Sequence, residues 1–267
     1  MLREFFRTSA ILAALLLLPR AAAAQNCGLQ TLSGGYAYAV VAQAVVATEL
    51  GLLLTSSELA NLTFDGQGAV TGTVKRQFGS AFFGTTFIEN VSLSGQYTVN
   101  PDCTGRLTLT TTTFPQLTGL EFVLAGRGEQ LLSNGALFAV GAVEWKRRAS
   151  RCEARTISGE YAFAGTPIHG FPELNLRLPD RELGILAFDH RLGSVSGTLK
   201  RLTPDGQQTV NLTGSYVVNP DCTGSILFDN PGEPAQDFVV VGRGEEILSL
   251  ATSTQENLLA TFTWKRR

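Results

Sequence analysis

Apolar and polar residues alternate through most of the chain. Leu93, Gly95, Tyr97 and Val99 alternate with Ser94, Gln96 and Thr98; Leu107 and Leu109 with Thr108 and Thr110; Val70, Gly72 and Val74 with Thr71, Thr73 and Lys75. A period of two marks half-buried antiparallel strands. Turn signals fall between the runs: Asp65-Gly66, Asn100-Pro101-Asp102, Gly126-Arg127-Gly128 and Asn134-Gly135. No amphipathic helix is expected beyond the N-terminal segment. One run departs from the pattern: Ala37 to Leu54 carries too few polar residues for an ordinary half-exposed strand pair. It is expected to be buried core, with a cavity lining or a domain contact as the alternatives.

The pattern occurs twice. Val-Asn-Pro-Asp-Cys-Thr-Gly stands at 99–105 and again at 218–224. Around it, Ser33-Gly-Gly-Tyr-Ala-Tyr38 matches Ser158-Gly-Glu-Tyr-Ala-Phe163, and Val70-Thr-Gly-Thr-Val-Lys-Arg76 matches Val195-Ser-Gly-Thr-Leu-Lys-Arg201. Further on, Gly126-Arg-Gly-Glu129 matches Gly242-Arg-Gly-Glu245, and Trp145-Lys-Arg-Arg148 matches Trp264-Lys-Arg-Arg267. The chain is an internal duplication. It is read as residues 1–24, then repeat 1 at 25–148 and repeat 2 at 152–267. Each repeat has room for about eight strands of ordinary length. That number, with regular turns, fits a closed barrel or a sandwich. Gly72 and Gly197 fall mid-strand, where a barrel wall needs kinks in order to coil and close. The expected fold is therefore all-β, two small antiparallel barrels in tandem.

The first 24 residues have the form of a secretory signal. Arg3 and Arg7 precede the apolar run Ala10–Leu18, and Ala22-Ala23-Ala24 offers a cleavage site. A lipid-bearing Cys27 is disfavoured, because Gln25 and Asn26 stand where small residues are expected. The full chain holds 21 basic and 23 acidic residues; losing Arg3, Arg7, Arg20 and Glu4 leaves 18 and 22. A mildly acidic chain with no basic field is not expected to bind nucleic acid. No membrane span is expected after cleavage, since no later apolar run is long enough. The expected location is the periplasm or the cell exterior.

Export changes how the four cysteines are read. In an oxidising compartment they are expected to form disulfides. Four cysteines allow three pairings, and the duplication favours the one that keeps each repeat self-contained: Cys27 with Cys103, Cys152 with Cys222. No Cys-x-x-Cys is present and neither histidine is near a cysteine, so neither a metal nor another cofactor is expected.

The opening Gly34-Gly35-Tyr36 and Gly159-Glu160-Tyr161 resemble the Gly-x-Trp that opens lipocalin barrels, with tyrosine in place of tryptophan. Together with Phe-Asp-Gly-x-Gly, Gly-x-Tyr-x-Val-Asn-x-Asp-Cys-Thr-Gly and Gly-x-Gly-Glu, they are similar to secreted bacterial proteins of unknown function with barrels of the calycin or allene oxide cyclase-like type. The resemblance spans both repeats. It implies a cup able to hold a small apolar molecule, and it carries over no catalytic residue.

Candidate chemistry is sparse. Arg127 with Glu129, and Arg243 with Glu245, are the most suggestive charged residues; a buried carboxylate there would be a general acid, whereas the plainer reading is a glycine turn with solvated charges. His190 reads as an exposed turn residue and His169 as part of a Pro/Gly-rich loop at 166–172. Asp65 and Asp189 read as turn acids. Arg147-Arg148 is a strand end or a protease site. Three functional classes remain: a binder of a small apolar ligand or surface partner, a structural protein with filled barrels, and a cofactor-free isomerase or cyclase.

Overall fold

A computed structural model describes residues 26–45, 53–80, 86–111, 119–136, 140–165, 167–171, 176–179, 181–203, 206–252 and 258–267. The segment read as a signal, 1–24, and residues 46–52 of the apolar run lie outside the described residues.

The chain folds into two closed antiparallel barrels of eight strands each. Barrel 1 comprises β1 (Ser33–Val45), β2 (Leu53–Asp65), β3 (Ala69–Ser80), β4 (Thr86–Val99), β5 (Thr104–Thr111), β6 (Leu120–Ala125), β7 (Gln130–Gly135) and β8 (Val140–Arg147). They pair in sequence order, and β8 returns to β1 through Tyr36↔Arg147. Repeat 2 contains β9 (Gly159–Gly165), β10 (Ile168–Phe171), β11 (Leu176–Pro179), β12 (Arg181–Asp189), β13 (Ser194–Thr203), β14 (Gly206–Val218), β15 (Thr223–Phe228), β16 (Gln236–Val241), β17 (Glu246–Ala251), β18 (Leu258–Leu259) and β19 (Thr261–Arg266). Barrel 2 runs β12 through β17, then β19 and β9, while β11, β10 and β18 form a separate three-stranded sheet.

That small sheet corrects the expected loop. His169 lies on β10, opposite Leu178 of β11 and Leu258 of β18. In repeat 1 the hairpin is continuous, from Ser33↔Asp65 to Val45↔Leu53. In repeat 2 its counterpart breaks after Gly165, where Pro167 cannot donate to a ladder, and pairs afresh as β10–β11.

Inward glycines mark where the walls coil. A Cβ on Gly72 would stand 2.2 Å from the Asn61 carbonyl oxygen, and one on Gly197 2.0 Å from that of Ile185. Elsewhere the missing side chain makes room for a ring: Phe122 covers Gly105, Phe238 covers Gly224, and Phe262 covers Gly165.

Each barrel is closed at one end by its own N-terminal segment. Leu32 and Ile157, each fully buried, follow short 3₁₀ turns at Leu29–Thr31 and Ala154–Ile157. Above Leu32, Phe64 lies edge-on to both Tyr36 and Tyr97, at 5.4 and 5.1 Å between ring centres; Phe188 does the same with Tyr161 and Tyr216. The disulfides Cys27–Cys103 and Cys152–Cys222 tie the segments to the β4–β5 and β14–β15 turns, closing separations of 76 and 70 residues. Loops of that size are worth about 4 kcal/mol each in the chain-entropy account.

The barrels meet through an apolar junction. Ala37, Ala39 and Leu59, on the outer face of β1–β2, pack against Val239, Val241, Leu248 and Leu250, on the outer face of β16–β17. Ion pairs flank it: Lys146 to Glu246 at 2.5 Å, and Lys75 to Asp237. The run beginning at Ala37 thus divides by parity. Tyr38 and Val40 serve the barrel interior, and Ala37 and Ala39 serve the junction.

Candidate functional site

The Gly-Arg-Gly-Glu motif lies at the closed end of each barrel. Gly126–Gly128 and Gly242–Gly244 form 3₁₀ turns with Arg127 and Arg243 in the left-handed region, at φ 59° and 61°. Arg127, Glu129, Arg243 and Glu245 are all exposed, so none stands in a cavity wall. What matters in the turn is its backbone. The Gly128 carbonyl accepts hydrogen bonds from the Tyr36 hydroxyl and the Arg147 guanidinium, which also donates to the Tyr36 oxygen at 2.8 Å and to the Ser33 carbonyl at 2.8 Å. In barrel 2 the Tyr161 hydroxyl donates to the Gly244 carbonyl, and Arg266 donates to the Tyr161 oxygen at 2.8 Å and to the Thr156 carbonyl. Burial pushes the Tyr36 phenol up to about 12, against a smaller downward pull from Arg147. The Gly-x-Tyr, Gly-Arg-Gly-Glu and Trp-Lys-Arg-Arg motifs therefore form one lock at the disulfide end.

The other sequence candidates are also placed. His190 is exposed, with its Nδ1 3.1 Å from the Ser158 hydroxyl. The Asp65 carboxylate accepts three backbone N–H groups, from Gln67, Gly68 and Ala69, which hold its pKa below the usual range. It is a turn staple. No group of three His, Cys, Asp or Glu side chains is placed to hold a metal among the described residues.

A buried charged cluster lies at the opposite end, about 20 Å up β2 by the usual strand rise. Glu58 shares strand parity with Ala60, Leu62 and Phe64, so it points inward, and it is fully buried. Its Oε2 accepts a hydrogen bond from the Tyr38 hydroxyl at 2.9 Å. Arg76 faces it across the ladder, and Glu89 faces Arg76 from β4. Barrel 2 carries the same rung: Glu182 opposite Arg201, with Gln208 in the place of Glu89. There Arg201 pairs with Glu182 and, at 3.0 Å, with Glu233 from the loop before β16.

Burial shapes both guanidinium groups. In Arg76 it pulls the pKa below the usual value, with Glu58 and Glu89 opposing. In Arg201 it pulls the same way, but the Glu182 and Glu233 carboxylates outweigh it and leave the pKa raised. Each rung sets two carboxylates against one guanidinium, in surroundings where an unpaired charge is expensive.

The two rungs sit on different supports. Below that of barrel 2, the Phe163 and Phe262 rings pack against Trp264, at 4.4 and 6.3 Å between ring centres. Barrel 1 has Tyr38 and Val143 at the equivalent positions, with the Tyr38 ring 4.5 Å from Trp145. Glu58, Arg76 and Glu89 lie on neighbouring strands β2, β3 and β4 of this barrel. The rung went unread in the sequence, although its signal was present: Glu58 and Arg76 keep the parity of the apolar residues beside them.

No protein-family model matches the chain, and no curated protein matches it. Among solved structures it is similar to a protein of unknown function from the DUF3598 family of Nostoc punctiforme, at 13% identity over 92% of this chain and 99% of that one, with a TM-score of 0.27. That likeness is too slight to carry any argument about this chain.

Proposed function

We propose that the chain is exported and acts in the periplasm or outside the cell as a calycin-like tandem-barrel binding protein. Its ligand is one small, largely apolar molecule bearing a donor group, an amine or a hydroxyl, held at the charged end of barrel 1. The observation that carries this reading is Glu58, a fully buried carboxylate held by Tyr38 on the inner face of a barrel wall. A carboxylate on the inner face of a barrel is the acceptor that would select a ligand with a donor group. Two disulfides fit an oxidising compartment. Barrel 2, with Phe163 and Phe262 packed against Trp264, is assigned a supporting role.

Native mass spectrometry of the mature chain with octylamine and with octanoate tests the proposal. One amine adduct per chain and no octanoate adduct are expected. Equal uptake of both, or of neither, contradicts it.

The same contact favours a second reading, a cofactor-free isomerase or cyclase. A buried carboxylate beside a phenol is a potential acid–base pair. Recovery of the bound molecule unchanged after long incubation would set this reading aside.

A further inference from the structure

The junction inside the chain joins two different faces of one repeated barrel. Repeat 1 contributes β1–β2, and repeat 2 contributes β16–β17. Each barrel therefore keeps one unused face. Barrel 1 has β6–β7, the counterpart of β16–β17. Barrel 2 has β9 and β12, the counterpart of β1–β2.

These unused faces carry several of the exposed large apolar side chains among the described residues. Val123 and Leu132, 48% and 47% exposed, stand where Val239 and Leu248 are buried in the junction. Leu183, 57% exposed, stands where Leu59 is buried. Ile185 and Leu202 extend the same patch of barrel 2, and Leu202 occupies the place of the fully buried Gln77. Three of the eight exposed large hydrophobics among the described residues, Val123, Leu132 and Leu183, thus fall on counterparts of residues buried in the junction, and two more, Ile185 and Leu202, lie beside Leu183, which singles these faces out from ordinary scattered exposure. One of the two flanking ion pairs corresponds as well, the other not, since Gln130 stands where Glu246 pairs with Lys146. Lys75 pairs with Asp237 across the internal junction. Their counterparts are Lys200 on barrel 2 and Glu121 on barrel 1, both exposed and of the same signs.

We infer that the chain associates with a second copy of itself head to tail, the β9–β12 face of one molecule docking on the β6–β7 face of the next and repeating the internal junction. Such a contact is heterologous. It closes into a ring if the rotation between barrels divides a full turn, and otherwise it propagates.

Sedimentation of the mature chain from micromolar to millimolar concentration tests this, with two variants at exposed positions. The expected result for the native chain is a mass that rises with concentration beyond that of one chain. Leu132→Arg and Leu183→Glu should each stop the rise, because each spoils one of the two faces. Mixing the two variants should restore it, because the cation introduced on one face then meets the carboxylate introduced on the other, while the native faces meet at the next junction. A chain that stays monomeric throughout overturns the inference. So does a contact abolished by Leu132→Arg, untouched by Leu183→Glu and not rescued by mixing, which is the behaviour of a like-with-like dimer. Circular dichroism of each variant, unchanged from native, confirms that the fold is intact.

Discussion

At the scale of single residues, the inner charges decide how this protein differs from an all-apolar barrel. A Glu–Arg pair inside a barrel carries a desolvation penalty that its attraction barely returns, so its presence in both repeats calls for a reason beyond stability. Removing one partner is a different matter. Arg201→Met strands Glu182 and Glu233, 6% and 10% exposed, without their cation. The expected loss is about 3–5 kcal/mol, measured by urea unfolding. Replacing the ring of charges by Glu182→Leu, Arg201→Met and Glu233→Gln together should recover most of it. A loss from Arg201→Met below about 1 kcal/mol would place the pair in surface-like surroundings. The alternation of apolar and polar residues made most of the core legible, because Tyr97, Leu107 and Val70 do what their parity requires. Charged residues on that same parity were passed over because charge alone reads as exposure. Gly-Arg-Gly-Glu drew attention as chemistry, yet its role is carried by the Gly128 and Gly244 carbonyls, which a sequence does not display.

At the scale of elements, strands and turns followed from local pattern, and the departures have local causes. The Asn-Pro-Asp-Cys-Thr turns hold Cys103 and Cys222 at φ 68° and 67°, left-handed positions stabilised by Asp102 and Asp221 accepting from Thr104 and Thr223. The small sheet β10–β11–β18 was not legible, since proline and glycine around His169 imitate a loop. Gly72 and Gly197 fall mid-strand where a barrel wall must kink, and their close contacts with the Asn61 and Ile185 carbonyl oxygens agree. What the sequence hid was the use of other glycines, Gly105, Gly165 and Gly224, as sockets for rings. Gly224 has the Phe238 ring 2.3 Å from where a Cβ would stand and the Val217 carbonyl oxygen equally close. Gly224→Ala should therefore cost about 1–3 kcal/mol through overpacking. Thermal unfolding measures this, and a neutral outcome would mean that ring and wall shift freely.

At the scale of the whole molecule, duplication gave two barrels one floor, one lock and one rung, and then let them diverge above the floor. Phe163 and Phe262 stand in barrel 2 where barrel 1 has Tyr38 and Val143, and Tyr38 sets a hydroxyl beside the carboxylate of Glu58. The proposed function sets two structurally similar carboxylates, Glu58 and Glu182, to different tasks. The most direct measurement is a fluorescence titration of dansylcadaverine, an apolar amine, into the mature chain and into Glu58→Gln and Glu182→Gln. One site per chain is expected, weakened about tenfold or more by Glu58→Gln, the usual worth of a hydrogen bond to a charged group, and left nearly unchanged by Glu182→Gln. No binding to the native chain, or an equal loss in both variants, would contradict the assignment of barrel 1 as the binding barrel.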